Sequence, residues 1–166
     1  MKHTILIIDD DTAIREMMKE SFSKEPYTVL IAGSADEALS ILSQEPVDVV
    51  ISDEKMPGMS GSELLAVVRK KYPDTIRMIL TGHANLDTTI RAINEGEIYR
   101  FFKKPCNMID LAITVRQALH HKTVLAESQR LQKVVNQQYT LIDDIEKQHP
   151  GISNVKRNAD GAIILE

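Results

Sequence analysis

Four apolar segments, each followed within two residues by a polar side chain, constrain the fold of this chain more than any other feature. The apolar segments are Ile5-Leu6-Ile7-Ile8, Val49-Val50-Ile51, Met78-Ile79-Leu80 and residues 98–102. The first three runs are uninterrupted, as is typical of parallel strands that helices cover on both faces, whereas the fourth contains Arg100, which suits an edge strand. Ligands bind at the carboxyl ends of the strands in an open parallel sheet. We therefore expect one shared site for the polar residues that follow, which are Asp9, Asp53, Thr81 and Lys104.

Helical patterns alternate with the strands, which favours βα units around a parallel sheet. Strands are predicted over residues 3–8, 27–32, 47–52, 76–81 and 98–103. Two of the intervening helices begin with capping-box signals, Ser34 with Glu37 and Ser60 with Glu63. Another helix is predicted over residues 86–94.

The domain organisation changes near residue 122, where five strands and five helices are complete. Residues 1–122 are predicted to form one domain. Residues 123–148 contain no Gly or Pro and carry a weak heptad seam interrupted by Gln138. This segment is either a solvated terminal helix or a signalling helix that self-associates. Residues 149–166 form a tail that is interpreted as a hairpin, turning at Asp160-Gly161, or as the start of an output module.

Composition argues against several classes of function. The net charge of −4 provides no basic field for nucleic acid or anionic lipid. No apolar stretch is long enough to span a membrane, and no signal-peptide pattern occurs. The single cysteine, Cys106, excludes an internal disulfide. A cytoplasmic location is expected.

Carboxylates from different strand ends suit Mg²⁺, which prefers oxygen ligands and leaves positions for phosphate oxygens. An ammonium such as Lys104 balances their charge and binds phosphoryl oxygens, and a hydroxyl such as Thr81 donates to another. A carboxylate can also attack phosphorus and form an acyl phosphate. The gathered residues therefore indicate a site for a divalent cation and a phosphoryl group.

The chain closely resembles the receiver domains of two-component response regulators over roughly residues 2–122. The resemblance is carried by four segments in the family's order and spacing. They are residues 5–11 (ILIIDDD), 49–61 (VVISDEKMPGMSG), 79–84 (ILTGHA) and 101–105 (FFKKP). It implies an α/β, flavodoxin-like, three-layer fold with a five-stranded parallel sheet in the order 2-1-3-4-5, followed here by an extended C-terminal helix.

The resemblance also implies roles for individual residues. Asp53 corresponds to the acceptor of phosphate from a histidine kinase. Asp9 and Asp10 correspond to the acidic pair that holds Mg²⁺ together with Asp53, and Lys55 to the residue whose backbone carbonyl contacts the ion. Asp11 is interpreted as a helix cap.

The remaining implied roles concern the switch. Thr81 matches the hydroxyl that closes onto the phosphoryl group, and Lys104 the lysine that contacts it. Phe101 takes the aromatic switch position but lacks a hydroxyl. The family usually has a cis peptide before the proline that here is Pro105. Phosphorylation is expected to change the surface near the fourth predicted helix and the fifth strand.

Such a protein is a phosphoacceptor switch that assists its own phosphorylation and dephosphorylation. Its implied partners are a sensor histidine kinase and an output partner of unknown identity. A homodimer would form through the C-terminal helix or through the surface near the fourth helix and fifth strand. Residues 81–106 further resemble receivers fused to HD-type cyclic-dinucleotide phosphohydrolases, although the sequence shows no metal-binding His-Asp output motif.

Two alternatives stay open at this point. In the first, Asp9 is the nucleophile and Asp11 the general acid of a haloacid-dehalogenase-like phosphohydrolase. That interpretation meets Thr12 where a Gly is expected, and it leaves Asp53 without a role. In the second, the chain is a receiver-like binding module that is never phosphorylated.

Overall fold

The computed structural model describes residues 2–82 and 98–150. The helix predicted over residues 86–94 and the hairpin predicted around Asp160 lie outside the described residues. The chain divides into two compact units, Met1–His121 and Lys122–Glu166.

The first unit is built on a parallel sheet of five strands in the order β2-β1-β3-β4-β5. The predicted fold class and strand order are therefore confirmed. The strands are β1 (His3–Ile8), β2 (Tyr27–Ala32), β3 (Val49–Asp53), β4 (Ile76–Thr81) and β5 (Arg100–Lys103).

Two strand boundaries differ from the predictions. The third strand begins two residues later than expected and continues to Asp53, because pairing with β4 extends to Asp53 opposite Leu80. The Glu54 amide then donates to the Leu80 carbonyl at 2.8 Å. The fifth strand begins at Arg100 rather than Ile98, since its register with β4 starts at that residue. It is an edge strand, so one partner alone determines its length.

Helices cover both faces of the sheet, as its apolar strands require. They are α1 (Thr12–Ser21), α2 (Ala35–Gln44), α3 (Gly61–Lys71) and α4 (Met108–Gln148). Alternate residues of β1 enter different core clusters, with Leu6 and Ile8 in one and Ile5 and Ile7 in the other. The first cluster contains residues of α2 and α3, and the second contains residues of α1 and of α4 up to Leu119.

The two predicted capping boxes have different outcomes. In α3 the box is complete: the Ser60 hydroxyl accepts from the Glu63 amide at 3.3 Å, and the Glu63 carboxylate accepts from the Ser60 amide at 2.8 Å. In α2 the Ser34 hydroxyl accepts from the Glu37 amide, but the Glu37 carboxylate accepts from Gly33 at 2.6 Å. The prediction of a capping box in α2 was thus wrong for one of the two hydrogen bonds, the one from the Ser34 amide to the Glu37 carboxylate.

The part of α4 in the second unit, from residue 122 to residue 148, exposes many apolar side chains. Their exposed fractions range from 38% at Ile145 to 69% at Tyr139. The other large apolar residues of this group are Val124, Leu125, Leu131, Val134, Val135, Leu141 and Ile142. Within residues 2–82 and 98–150, no helix combines the length and apolar character needed to cross a membrane.

Candidate functional site

Three carboxylates converge at the carboxyl edge of the sheet. Asp9 follows β1 and Asp53 ends β3, and these strands are neighbours, with Ile8 opposite Ser52. Carboxylate oxygens of Asp9, Asp10 and Asp53 all lie within 4.8 Å of one another. Asp9 and Asp53 are buried and Asp10 is exposed. The structure therefore brings together the acidic residues that the sequence placed in one site.

Lys104 connects two of these carboxylates. Its Nζ lies 2.7 Å from Asp9 Oδ2 and 2.8 Å from Asp53 Oδ1. The Lys104 amide donates to the Thr81 carbonyl at 2.8 Å, which continues the pairing of β4 with β5. The peptide between Lys104 and Pro105 is cis, as the family resemblance implies.

Burial shifts the pKa of the Asp53 carboxyl and opposes the charged form of Lys104. It raises the pKa of the Asp53 carboxyl above its ordinary value, and the charge of Asp9 adds to the rise. Hydrogen bonds with Lys104 and from the Lys55 backbone oppose the rise without cancelling it. Burial also works against the charged form of Lys104, but the hydrogen bonds and charges of Asp53 and Asp9 outweigh it and raise the pKa of the ammonium.

The donor set fits a magnesium ion. Carboxylate oxygens are its preferred protein ligands, and two oxygens on opposite sides of one ion would be separated by about 4.2 Å. The oxygens of Asp9, Asp10 and Asp53, which lie within 4.8 Å of one another, are near enough to serve as ligands of one ion. Within residues 2–82 and 98–150, the ammonium that contacts this group is that of Lys104, which reaches Asp9 and Asp53, so the three carboxylates retain excess negative charge that attracts a cation.

The two predicted switch residues occupy neighbouring strands. Thr81 ends β4 and is buried. Phe101 lies on β5 opposite Ile79, is half-buried, and packs against the core cluster that contains α2 and α3. Lys55 is exposed.

Asp11 caps α1, as predicted. Its Oδ1 accepts from the amides of Ala13 at 2.8 Å and Ile14 at 3.4 Å. The Asp11 amide in turn donates to Asp9 Oδ1 at 2.9 Å. Asp11 therefore helps to orient Asp9 through its backbone, while its side chain serves the helix.

The support beneath Asp53 was missed in the sequence. A Cβ added to Gly61 would lie 2.2 Å from the Asp53 carbonyl oxygen, so α3 begins in direct contact with the strand end. The Glu54 carboxylate accepts from the amide of Ser62 at 2.9 Å and from its hydroxyl at 2.6 Å. The one available signal was a Gly directly after the Ser60 cap, where a better helix former would be expected.

Comparison with protein families matches residues 5–116 to the response regulator receiver domain. Among solved structures, the chain is 40% identical to the signal receiver domain of an HD domain-containing protein from Pseudomonas fluorescens Pf-5. That match has a TM-score of 0.72 and covers 75% of this chain and 99% of the other. A response regulator receiver domain protein from Clostridium thermocellum is 37% identical, with a TM-score of 0.69, covering 74% of this chain and 98% of the other.

Among curated proteins, the hydrogenase transcriptional regulatory protein HoxA from Cupriavidus necator is 34% identical over 128 residues. The match covers 77% of this chain and 26% of the relative, so the chain spans about a quarter of the length of the curated relatives it matches. The fold, the residues at the sheet edge and these matches agree, and the chain therefore belongs to the response regulator receiver domain family.

Proposed function

We propose that Asp53 accepts a phosphoryl group from a sensor histidine kinase and that this event switches the receiver. The observation that carries the proposal is the position of Lys104 Nζ, within 2.8 Å of both Asp53 and Asp9 at the carboxyl edge of the sheet. Receiver domains are phosphoacceptor switches and generally bind Mg²⁺ at an acidic pocket. Asp9, Asp10 and Asp53 are the residues we propose as side-chain ligands here, with the Lys55 carbonyl as a backbone ligand.

The proposed transfer is a displacement at phosphorus. A carboxylate oxygen of Asp53 forms a bond to phosphorus as the phosphorus–nitrogen bond to the kinase histidine breaks, and the imidazole leaves with that electron pair. Lys104 would bind a phosphoryl oxygen, and the contact of its Nζ with the proposed acceptor supports this role. A bound Mg²⁺ would supply positive charge that offsets the charge of the transferring group. The same residues would assist phosphorylation by small phosphodonors and later hydrolysis of the acyl phosphate.

Switching would begin at Thr81 and reach Phe101. Thr81 ends the strand beside Asp53, and its hydroxyl would move to donate to a phosphoryl oxygen. Phe101 lies on the next strand and would turn further into the core, because the segment after Thr81 would have moved. This local charge event would bias a two-state element and change the surface near β5 and the predicted fourth helix.

The chemistry of the neighbours supports Asp53 over Asp9 as the acceptor. A phosphohydrolase that used Asp9 would need Asp11 as a general acid, and the Asp11 carboxylate is engaged by two amides of α1. It would also leave the buried, cation-paired Asp53 without a function.

One experiment separates the three functions. The protein is incubated with Mg²⁺ and acetyl phosphate, and the modified residue is located by peptide mass spectrometry. Stable label on Asp53 is the expected result. Label on Asp9 with rapid phosphate release would indicate the phosphohydrolase. Absence of label, with a related receiver labelled in parallel, would indicate a binding module.

We further propose that the receiver acts in the cytoplasm and forms a homodimer through the second-unit part of α4 or through the surface near β5. The exposed apolar side chains of that helix support the first interface. Cys106, which is a free thiol, is compatible with a reducing compartment.

The output partner is proposed to be an HD-type module, because the Pseudomonas receiver that resembles this chain belongs to an HD domain-containing protein. Binding of the beryllofluoride-treated chain to a purified HD-type phosphohydrolase module would test this. Equal binding with and without beryllofluoride would count against an HD-type output partner. It would not bear on the proposal that Asp53 is phosphorylated.

A further inference from the structure

Arg15, in α1, forms hydrogen bonds that sequence reasoning did not anticipate. The residue is half-buried. Its Nη1 donates to the carbonyl oxygen of Asp9 at 2.5 Å, and its Nη2 donates to Thr12 Oγ1 at 2.9 Å. The guanidinium is a planar fork, so the two bonds fix its orientation relative to the loop between β1 and α1.

The accepting carbonyl belongs to the peptide that joins Asp9 to Asp10. The side chain of Asp9 is held independently, by Lys104 at one oxygen and by the Asp11 amide at the other. The exposed Asp10 carboxylate forms no hydrogen bond with the residues that the structure describes. Its direction is therefore set through the backbone, and Arg15 holds the peptide that determines it.

Gly33, which follows β2, leaves room for the Arg15 guanidinium because it has no side chain. A Cβ at this position would lie 3.2 Å from Arg15 Nη1 and 3.5 Å from Arg15 Cζ. The Gly33 amide is itself held by the Glu37 carboxylate at 2.6 Å. The guanidinium thus lies beside Gly33, where the Cβ of any other residue would be in tight contact with Nη1.

We propose that Arg15 is a positioning residue for the divalent cation: by holding the Asp9–Asp10 peptide it keeps the Asp10 carboxylate directed at Asp9 and Asp53. The inference rests on the proposed function for the identity of the cation. Two effects of Arg15 oppose each other. Its positive charge near the acidic group disfavours a cation, whereas its hydrogen bonds organise the ligands. Removing the guanidinium therefore weakens Mg²⁺ binding if positioning dominates and tightens it if charge dominates.

The test measures the Mg²⁺ dissociation constant of the unphosphorylated full chain by isothermal titration calorimetry. Arg15→Gln removes the positive charge and the two guanidinium hydrogen bonds. Arg15→Lys keeps the charge but lacks the planar guanidinium that forms both bonds. Both are expected to raise the dissociation constant, by about 10-fold, the lower end of the effect usual for outer-shell partners of a metal. Arg130→Gln, which removes an equal charge from the exposed terminal helix, is expected to leave the constant unchanged.

A second readout separates positioning from general damage. In the Arg15 variants, the Mg²⁺ concentration for half-maximal labelling by acetyl phosphate rises, while the labelling rate at saturating Mg²⁺ stays near that of the unmodified protein. Unchanged or tighter Mg²⁺ binding in Arg15→Gln and Arg15→Lys would overturn the inference. If Arg15→Gln does not fold, Mg²⁺ binding by Arg15→Lys and Thr12→Val tests the inference instead. Thr12→Val removes the hydrogen bond between Arg15 Nη2 and Thr12 Oγ1. Failure of the unmodified chain to bind Mg²⁺ would also overturn it, whereas Mg²⁺ binding without labelling would overturn only the proposed function.

Discussion

Asp53 is buried beside two other carboxylates and relies on one ammonium, that of Lys104, for charge compensation. Burial raises its pKa, which means that the folded protein disfavours the ionised carboxylate relative to the unfolded chain. The ionised form is nevertheless the one that attacks phosphorus. The acceptor is therefore held at some expense of stability, a common property of functional sites.

Asp53→Asn is expected to raise the free energy of unfolding at neutral pH by about 1 kcal/mol, because it removes a desolvated charge. An acid whose pKa is higher in the folded chain destabilises the fold most above that folded pKa. The penalty disappears as pH falls to the ordinary value of 3.8. The difference between Asp53→Asn and the unmodified protein should thus shrink with falling pH, as measured by urea unfolding. A difference that is independent of pH, or equal to that of the exposed control Asp144→Asn, would contradict this explanation.

Thr81→Ala is expected to separate phosphorylation from switching. Labelling of Asp53 should change by no more than about 2-fold, since attack does not require this hydroxyl, whereas transmission to Phe101 should be lost. Amide chemical shifts of β5 with and without beryllofluoride would report the transmission.

Thr75→Ala is the matched control for this experiment, because it removes another buried hydroxyl, one that donates to the Val47 carbonyl at the opposite end of β4. It should lower stability by about 1 kcal/mol and leave the shift changes intact. Full shift changes of β5 in Thr81→Ala would refute the role of Thr81.

At the level of secondary-structure elements, the sequence pattern correctly predicted the features that depend on neighbouring residues. The apolar runs placed the strands of the sheet, and Ser60 with Glu63 formed the expected box. The end of β3 was misplaced, because pairing with β4 rather than local propensity extends it to Asp53. The contact of Gly61 with Asp53 and the bond of Arg15 to Asp9 depend on how α3 and α1 approach the sheet. Contacts of this kind, between a helix and a distant strand, produce no periodic pattern in a single sequence and so could not be predicted from it.

Gly61→Ala tests the close approach of α3 to the acceptor strand. The added methyl would meet the Asp53 carbonyl at 2.2 Å, so strand and helix must separate. We expect a loss of about 1–3 kcal/mol in the free energy of unfolding and slower labelling of Asp53. Gly82→Ala is the control, because a Cβ at Gly82 would meet nothing within 4 Å of the described atoms. Equal stability of the two variants would show that the end of β3 tolerates displacement.

At the scale of the whole molecule, the receiver unit is followed by a second unit, and the part of it that the structure describes is a helix with exposed apolar side chains. Receiver domains generally act through output domains, and the curated relatives are about four times as long as the matched region. Nine large apolar side chains exposed on the second-unit part of α4 are unfavourable in water, which favours use of this helix as an interface.

Leu131→Lys is expected to weaken self-association, because it places a charge in the apolar seam of the second unit. Leu131 has 57% of its surface exposed in the single chain. Sedimentation velocity over a range of concentrations would measure the change, with Gln132→Lys as a control of equal charge. Dimers that tolerate Leu131→Lys, or a protein that is monomeric at all concentrations, would remove the helix from the proposed interface.

The most direct measurement of the central claim is the intact mass of the protein after incubation with acetyl phosphate, with and without Mg²⁺. The unmodified chain should gain one phosphoryl group only when Mg²⁺ is present, Asp11→Asn should behave like it, and Asp53→Asn should gain none. Phosphorylation of Asp53→Asn would contradict the assignment of Asp53 as the acceptor. So would a phosphorylated Asp9 peptide from the unmodified chain, combined with loss of phosphorylation in Asp9→Asn at saturating Mg²⁺.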